Sequence, residues 1–190
     1  MRNIRRAVPA LILVTAGLVT AATGQAAQIQ AVQLPGGGDA VLLSGVIAPG
    51  DEAAFHALAE NLRGAVVITT GPGGSVSPAL AIGSETRARG WTTLVPEGGR
   101  CASACAMIWL AGETRRLGAG AEIGFHAMST IQNGMRTETH DGDSVLRQWL
   151  TGLGYALDTT ATIVNVGAAS VRWYNAVELR ANGIPTEPYP

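Results

Sequence analysis

From about residue 40 the chain alternates between strand-like and helix-like apolar patterns. Ala40 to Ile47 alternates loosely and predicts a strand. Ala65-Val66-Val67-Ile68-Thr69-Thr70 is a continuous apolar and β-branched run, the pattern of a strand covered on both faces. Trp91 to Val95 and Ala121 to Phe125 read the same way. Helical spacings lie between these strands. After the turn and N-cap at Pro49-Gly50-Asp51, the residues Ala53, Phe55, Leu58 and Leu62 mark one helix. A second is predicted over Ser75 to Arg89, with Ala79, Leu80, Ile82 and Gly83 towards its apolar side and Gly90 closing it. A short, wholly apolar helix follows over Ser103 to Leu110, where Trp109 reads as core. Strands and helices joined by short glycine-rich turns predict an α/β fold: a mostly parallel sheet flanked by helices.

The flanking segments are less regular. Gln28 to Asp39 is polar, glycine-ended and suited to an irregular or edge segment. Met128 to Gly142 is polar and reads as a loop or hairpin. Helical spacing returns at Val145, Leu146, Trp149 and Leu150, again near Leu157 to Val164, and last near Asn175 to Ala181. Pro185, Pro188 and Pro190 make the tail extended. With no internal repeat and no long linker, 28–190 reads as one α/β domain with a helical C-terminal part.

Composition narrows the function. The chain is 47% hydrophobic and 14% charged, which excludes disorder over most of its length. A formal charge of −1, with no basic block beyond the N-terminus, excludes nucleic acid as a partner. All 13 basic residues are arginine, so a Ser-Lys catalytic dyad cannot be built. Arg2, Arg5 and Arg6 precede the apolar, small-residue stretch Val8 to Ala22, followed by small residues at Ala22-Thr23-Gly24 and Gly24-Gln25-Ala26. This is the layout of a cleaved signal peptide over 1–27, with a mature N-terminus between Gln25 and Gln28 and a periplasmic destination.

Candidate chemistry centres on Ser103. The segment Gly98-Gly99-Arg100-Cys101-Ala102-Ser103-Ala104-Cys105-Ala106 carries it from a glycine-rich loop into an apolar helix, where free N–H groups favour developing negative charge. Gly71-Pro72-Gly73-Gly74 follows one predicted strand as a turn, and His126 follows another. A lone serine of this kind is more often a helix cap; serine, histidine and glycine turn together are the parts of an acyl-transfer site. Cys101 and Cys105 flank the serine. In a regular helix their Cβ atoms would be about 5–6 Å apart, whereas a disulfide needs about 3.5–4.5 Å. Pairing therefore requires Cys101 to lie outside the helix, and two small unpaired buried residues are the preferred reading. Two cysteines do not complete a zinc site, and no metal or cofactor is expected. His56 falls at a surface or boundary position, and His140 beside Asp141 and Asp143 reads as a solvated loop.

The order strand, Pro-Gly-Gly, helix, strand, small-Ser-small, helix, Ala-Gly, basic, strand, His resembles the ClpP-like periplasmic proteins of the ClpP/crotonase superfamily. The likeness covers about Val41 to His126 and recurs at Asn175-Ala176-Val177-Glu178 and Gly183-Ile184. It implies Ser103 as nucleophile, His126 as general base, and N–H groups of Gly74 (with Gly73) and Ala104 as the oxyanion hole. Where the family carries an aspartate before its closing helix, this chain reads Ala169-Ser170-Val171-Arg172. Ser170 is the polar residue nearest that slot, with Asn165 and Asp158 farther off. Serine or asparagine holds a tautomer without stabilising imidazolium as a carboxylate does.

These readings lead to an extracytoplasmic serine hydrolase, a peptidase on short or unfolded polypeptides, without an ATPase partner and compatible with a homo-oligomer. The alternative is a non-catalytic periplasmic binding protein on the same scaffold. A crotonase-type acyl-CoA enzyme is the weakest reading, because export removes it from the CoA pool.

Overall fold

The computed structural model describes residues 26–190 apart from 133–134, 140–141 and 168–169. Most of the proposed signal peptide, His140, Asp141 and Ala169 lie outside the described residues. In chain order the elements begin β1 (Gln28–Gln33), β2 (Asp39–Ile47), α1 (Asp51–Ala59), β3 (Ala65–Gly74) and α2 (Val76–Ala88). Next come β4 (Thr92–Val95), β5 (Arg100–Ala102), α3 (Ala104–Leu110), β6 (Arg115–Leu117) and β7 (Glu122–Phe125). The C-terminal part adds β8 (Ser129–Gln132), β9 (Met135–Glu138), α4 (Asp143–Gly152), α5 (Leu157–Val164), β10 (Arg172–Tyr174), α6 (Ala176–Ala181) and β11 (Glu187–Pro188).

The β-branched run in β3 makes it the hub of the sheet. One edge of β3 pairs in parallel with β2. Its other edge pairs with β4 from Val66↔Thr92 to Ile68↔Leu94, then with β5 at Gly71↔Cys101. The sheet thus divides at β3: one branch continues through β4, β6 and β11, the other through β5, β7 and β10. These pairings are parallel except β1 on β2 and β10 on β7, the sheet's antiparallel margins. The polar segment at Gln28 is therefore an ordered edge strand. The segment at Met128 contains a hairpin of β8 and β9.

The Gly-Pro-Gly-Gly segment departs from expectation. It is the end of β3 itself, registered against β2 at Val46↔Gly73 and Ile47↔Gly74. Glycine makes this possible, since a Cβ on Gly74 would sit 2.1 Å from the Ile47 carbonyl oxygen. Only a backbone without a side chain passes that closely.

All seven residues of α3 are buried, as an all-apolar helix requires. It packs against β3 and α2. At its C-terminal end the buried Arg115 guanidinium donates to the carbonyls of Gly112 at 2.6 Å and Pro185 at 2.9 Å. A positive charge there complements the helix dipole, and the carbonyls replace the water lost on burial. Tyr155 donates its hydroxyl to the Leu110 carbonyl at 2.8 Å, tying the α4–α5 connection to the same end. The helix carrying the serine is thus anchored where it terminates.

Candidate active site

Ser103 stands between β5 and α3 with φ 57° and ψ −125°. Among the described residues it is the one non-glycine residue with positive φ. An L-residue is strained there, and such strain persists only where the surroundings impose it. Three contacts do so. The Ser103 N–H donates to the Gly124 carbonyl at 2.9 Å, and the Ser103 carbonyl accepts from Met107 N–H at 3.2 Å. Gly73, buried at the end of β3, presses against the turn: a Cβ there would lie 2.6 Å from Ser103 Cβ and 2.9 Å from Ala104 N.

A fourth constraint is covalent. Cys101 and Cys105 form a disulfide with a Cα–Cα distance of 5.3 Å. The preferred sequence reading, two unpaired residues, is corrected here. Its geometric objection assumed both cysteines in one helix, but Cys101 belongs to β5 and Cys105 to α3. The chain reverses at Ser103 between them, which brings the sulfurs together.

A cavity of about 90 Å³ opens beside this turn, lined by Ser103, Ala104, Gly74 and His126 together with Pro72, Val76, Met107, Met128, Ser129 and Leu146. The sequence-derived nucleophile, base and oxyanion positions therefore converge on one space. Gly73 lies behind Ser103 and supports it. Ala104 is the first residue of α3, so its N–H has no acceptor within the helix. No lining residue carries a carboxylate or a guanidinium, and His126 is the ionisable group of the site.

His126 is half-buried, and its Nδ1 lies 2.6 Å from the Ala127 carbonyl oxygen. A carbonyl only accepts, so Nδ1 carries the proton, and in the neutral ring Nε2 holds the free lone pair. Among the described residues, Ser103 Oγ and the imidazole share the cavity without a direct hydrogen bond. Apo sites commonly show such loose geometry.

The suggested third members do not reach this space. Asn165 is exposed, and its Oδ1 accepts from Arg147 at 2.7 Å. Ser170 and Asp158 are also exposed. Val171 and Trp173 crowd the strand that leads to the histidine, with side-chain carbons that would lie 2.6 and 2.9 Å from a Cβ on Gly124. Neither Val171 nor the Ala127 carbonyl was accessible to sequence reasoning, since one depends on strand register and the other on backbone conformation. His56 lies on the surface against Glu85. Among the described residues no group of three or more His, Cys, Asp or Glu side chains could hold a metal ion.

No protein-family model and no curated protein sequence matches the chain. Solved structures do. A serine-to-alanine variant of the 1510-N membrane-bound stomatin-specific protease superposes with a TM-score of 0.59 at 16% identity, covering 78% of this chain and 76% of that one. A lysine-to-alanine variant of the same protease, in complex with a substrate peptide, gives 0.56 at 18% identity, over 79% and 73%. An enoyl-CoA hydratase/isomerase family member gives 0.54 at 16% identity, over 84% and 70%. The chain has the ClpP/crotonase fold: a curled, mostly parallel sheet flanked by helices. At these identities the likeness concerns the fold.

Proposed function

We propose that this protein is a serine hydrolase, a peptidase acting outside the cytoplasm on short or unfolded polypeptides. The observation that carries the reading is the strained Ser103 at a strand-to-helix turn, opening into the same cavity as His126, Gly74 and Ala104. In this scheme His126 Nε2 takes the Ser103 hydroxyl proton as Oγ bonds to the substrate carbonyl carbon. The resulting oxyanion accepts hydrogen bonds from the backbone N–H groups of Gly74 and Ala104. His126 then returns the proton to the leaving amine, and water repeats the sequence on the acyl-enzyme. The fold is shared with a peptidase whose studied variants include a lysine replacement. This chain has no lysine, so histidine is the base available to it. A buried disulfide accords with an oxidising compartment, and the N-terminal pattern of residues 1–27 with export to the periplasm.

A fluorophosphonate probe tests the scheme directly. It should form one covalent adduct, on Ser103, as read by intact mass and peptide mapping. Ser103→Ala should abolish the adduct, and His126→Ala should slow it by roughly a hundredfold or more. Equal labelling of wild type and Ser103→Ala would end the hydrolase reading.

A second reading, a peptide-binding protein without catalysis, is favoured by one observation: no carboxylate lines the cavity to stabilise imidazolium. It requires peptide binding with no probe adduct, so the same experiment separates the two.

A further inference from the structure

The disulfide encloses Ser103 at the centre of a five-residue covalent ring, with Cys101 in β5 on one side and Cys105 in α3 on the other. Both cysteines are 0% exposed, and among the described residues no cysteine is free. The Thr69 hydroxyl, also buried, lies 3.2 Å from Cys105 Sγ; a disulfide sulfur has no proton, so the hydroxyl donates. The helix side of the ring is therefore pinned to the central strand β3, and the strand side is pinned to β7 through the Ser103 N–H and the Gly124 carbonyl.

Ser103 holds a backbone conformation that an L-residue leaves when it can. Its hydrogen bond to Gly124 and its contact with Gly73 restrain one face of the turn. Neither links β5 to α3 covalently. The disulfide does. We propose that Cys101 and Cys105 are positioning residues for the nucleophile. Their bond holds the turn at Ser103 in its reactive geometry, so the site becomes fully competent only once the bond has formed. This rests on the hydrolase reading above.

The chemistry of formation is thiol–disulfide exchange. The Cys101 and Cys105 thiols give up two protons and two electrons to an external disulfide, which is reduced to two thiols through a mixed-disulfide intermediate. Burial then sets the timing. An incoming disulfide needs access to a sulfur that the finished core excludes, so exchange precedes the docking of α3. Afterwards the bond is shielded from thiols. It acts as a maturation step tied to an oxidising compartment, and not as a switch that is thrown repeatedly. A copy folded under reducing conditions would keep the α/β architecture while its serine reacts slowly.

The test compares oxidised wild type, wild type folded with its cysteines reduced, and Cys101→Ala/Cys105→Ala. Cys101→Ala/Cys105→Val, which restores more of the lost volume, serves should the first variant fold poorly. Ile163→Ala, in the buried face of α5, is a destabilised control with an intact disulfide. Each is confirmed folded by far-UV circular dichroism below its own melting transition. Fluorophosphonate labelling should be on the order of tenfold to a hundredfold slower without the disulfide, because small displacements of a nucleophile carry costs of that size. The control should label as wild type does. Amide hydrogen exchange over 103–106 should accelerate in the same variants and not in the control. Folded variants that label as fast as wild type would overturn the proposal. If oxidised wild type does not label at all, the hydrolase reading fails on its own account. The exchange data then decide the positioning claim: unchanged protection at 103–106 overturns it, and lost protection there upholds it.

Discussion

Val171 packs over Gly124, its Cγ1 2.6 Å from where a Gly124 Cβ would stand, in the strand that leads to His126. The β7–β10 register runs Ile123↔Tyr174, Gly124↔Trp173 and Phe125↔Arg172; continued by one residue beyond its last pair it would bring 126 opposite 171. The Val171 side chain crowds Gly124, two residues before His126 and therefore on the same side of the extended chain. Ser170 precedes it at a bend, where its N–H donates to the Gly167 carbonyl at 3.5 Å, and it is exposed. An apolar residue thus lies beside the end of β7, on the approach to the imidazole.

Val171→Asp should raise hydrolysis or probe labelling by roughly tenfold or more, because an aspartate both fixes the tautomer and stabilises the imidazolium. Ser170→Asp should leave the rate little changed. Initial rates for the two variants side by side check the register argument. A gain for Ser170→Asp alone would refute it.

Gly73→Ala should destabilise the fold and silence the serine together. The added methyl would lie 2.6 Å from Ser103 Cβ and 2.8 Å from the Ala102 carbonyl oxygen, at a backbone φ of 100°. Backbone strain of this kind costs about 1–3 kcal/mol before the clash is counted. Urea unfolding and probe labelling measured on one sample show both effects.

Burial pushes the Tyr155 phenol up from 10.0 to about 12, with the neighbouring Arg115 partly opposing it. The sign follows from linkage. Below about pH 10 both folded and unfolded chains hold the proton, and the contribution is fully present. Between pH 10 and 12 the unfolded chain ionises first, so stability falls as pH rises. Tyr155→Phe should flatten that decline and, by removing the bond to Leu110, lower stability at neutral pH by about 1 kcal/mol. Burial raises Tyr174 in the same direction, so the decline should shrink without vanishing. Thermal melts from pH 7 to 11.5 test this.

Asn175 caps α6: its Oδ1 accepts from Val177 N–H at 2.9 Å and Glu178 N–H at 3.1 Å, while Glu178 accepts from the Asn175 N–H at 2.9 Å. Asn175→Ala should cost about 0.5–2 kcal/mol, measured by denaturant unfolding, with probe labelling unaffected.

Much of the architecture was legible because its signals are local. The β-branched run 65–70 and the apolar run 104–110 can hardly be anything but a central strand and a core helix, and the structure places them so. Helix α5 matches its sequence-derived bounds, since its apolar spacing defines it without help from the rest of the chain. The glycines at 71–74 misled in one respect. Their composition signals a turn, yet they extend β3, because what selects glycine there is the nearness of the β2 backbone.

By itself the sequence determined the order of β2, β3, β4, β7 and the helices, the absence of lysine, and the placing of Ser103 at the start of an apolar helix and of His126 just past an apolar strand. These depend on residue type and on spacing within a few positions. The tertiary structure alone decided what depends on through-space register. It put Cys101 and Cys105 on different elements so that they could bond, and gave Ser103 its positive φ. It turned His126 Nδ1 to the Ala127 carbonyl, and packed Val171 over Gly124. Each arises where two distant segments meet, and the distance between such segments is written in no local pattern of residues.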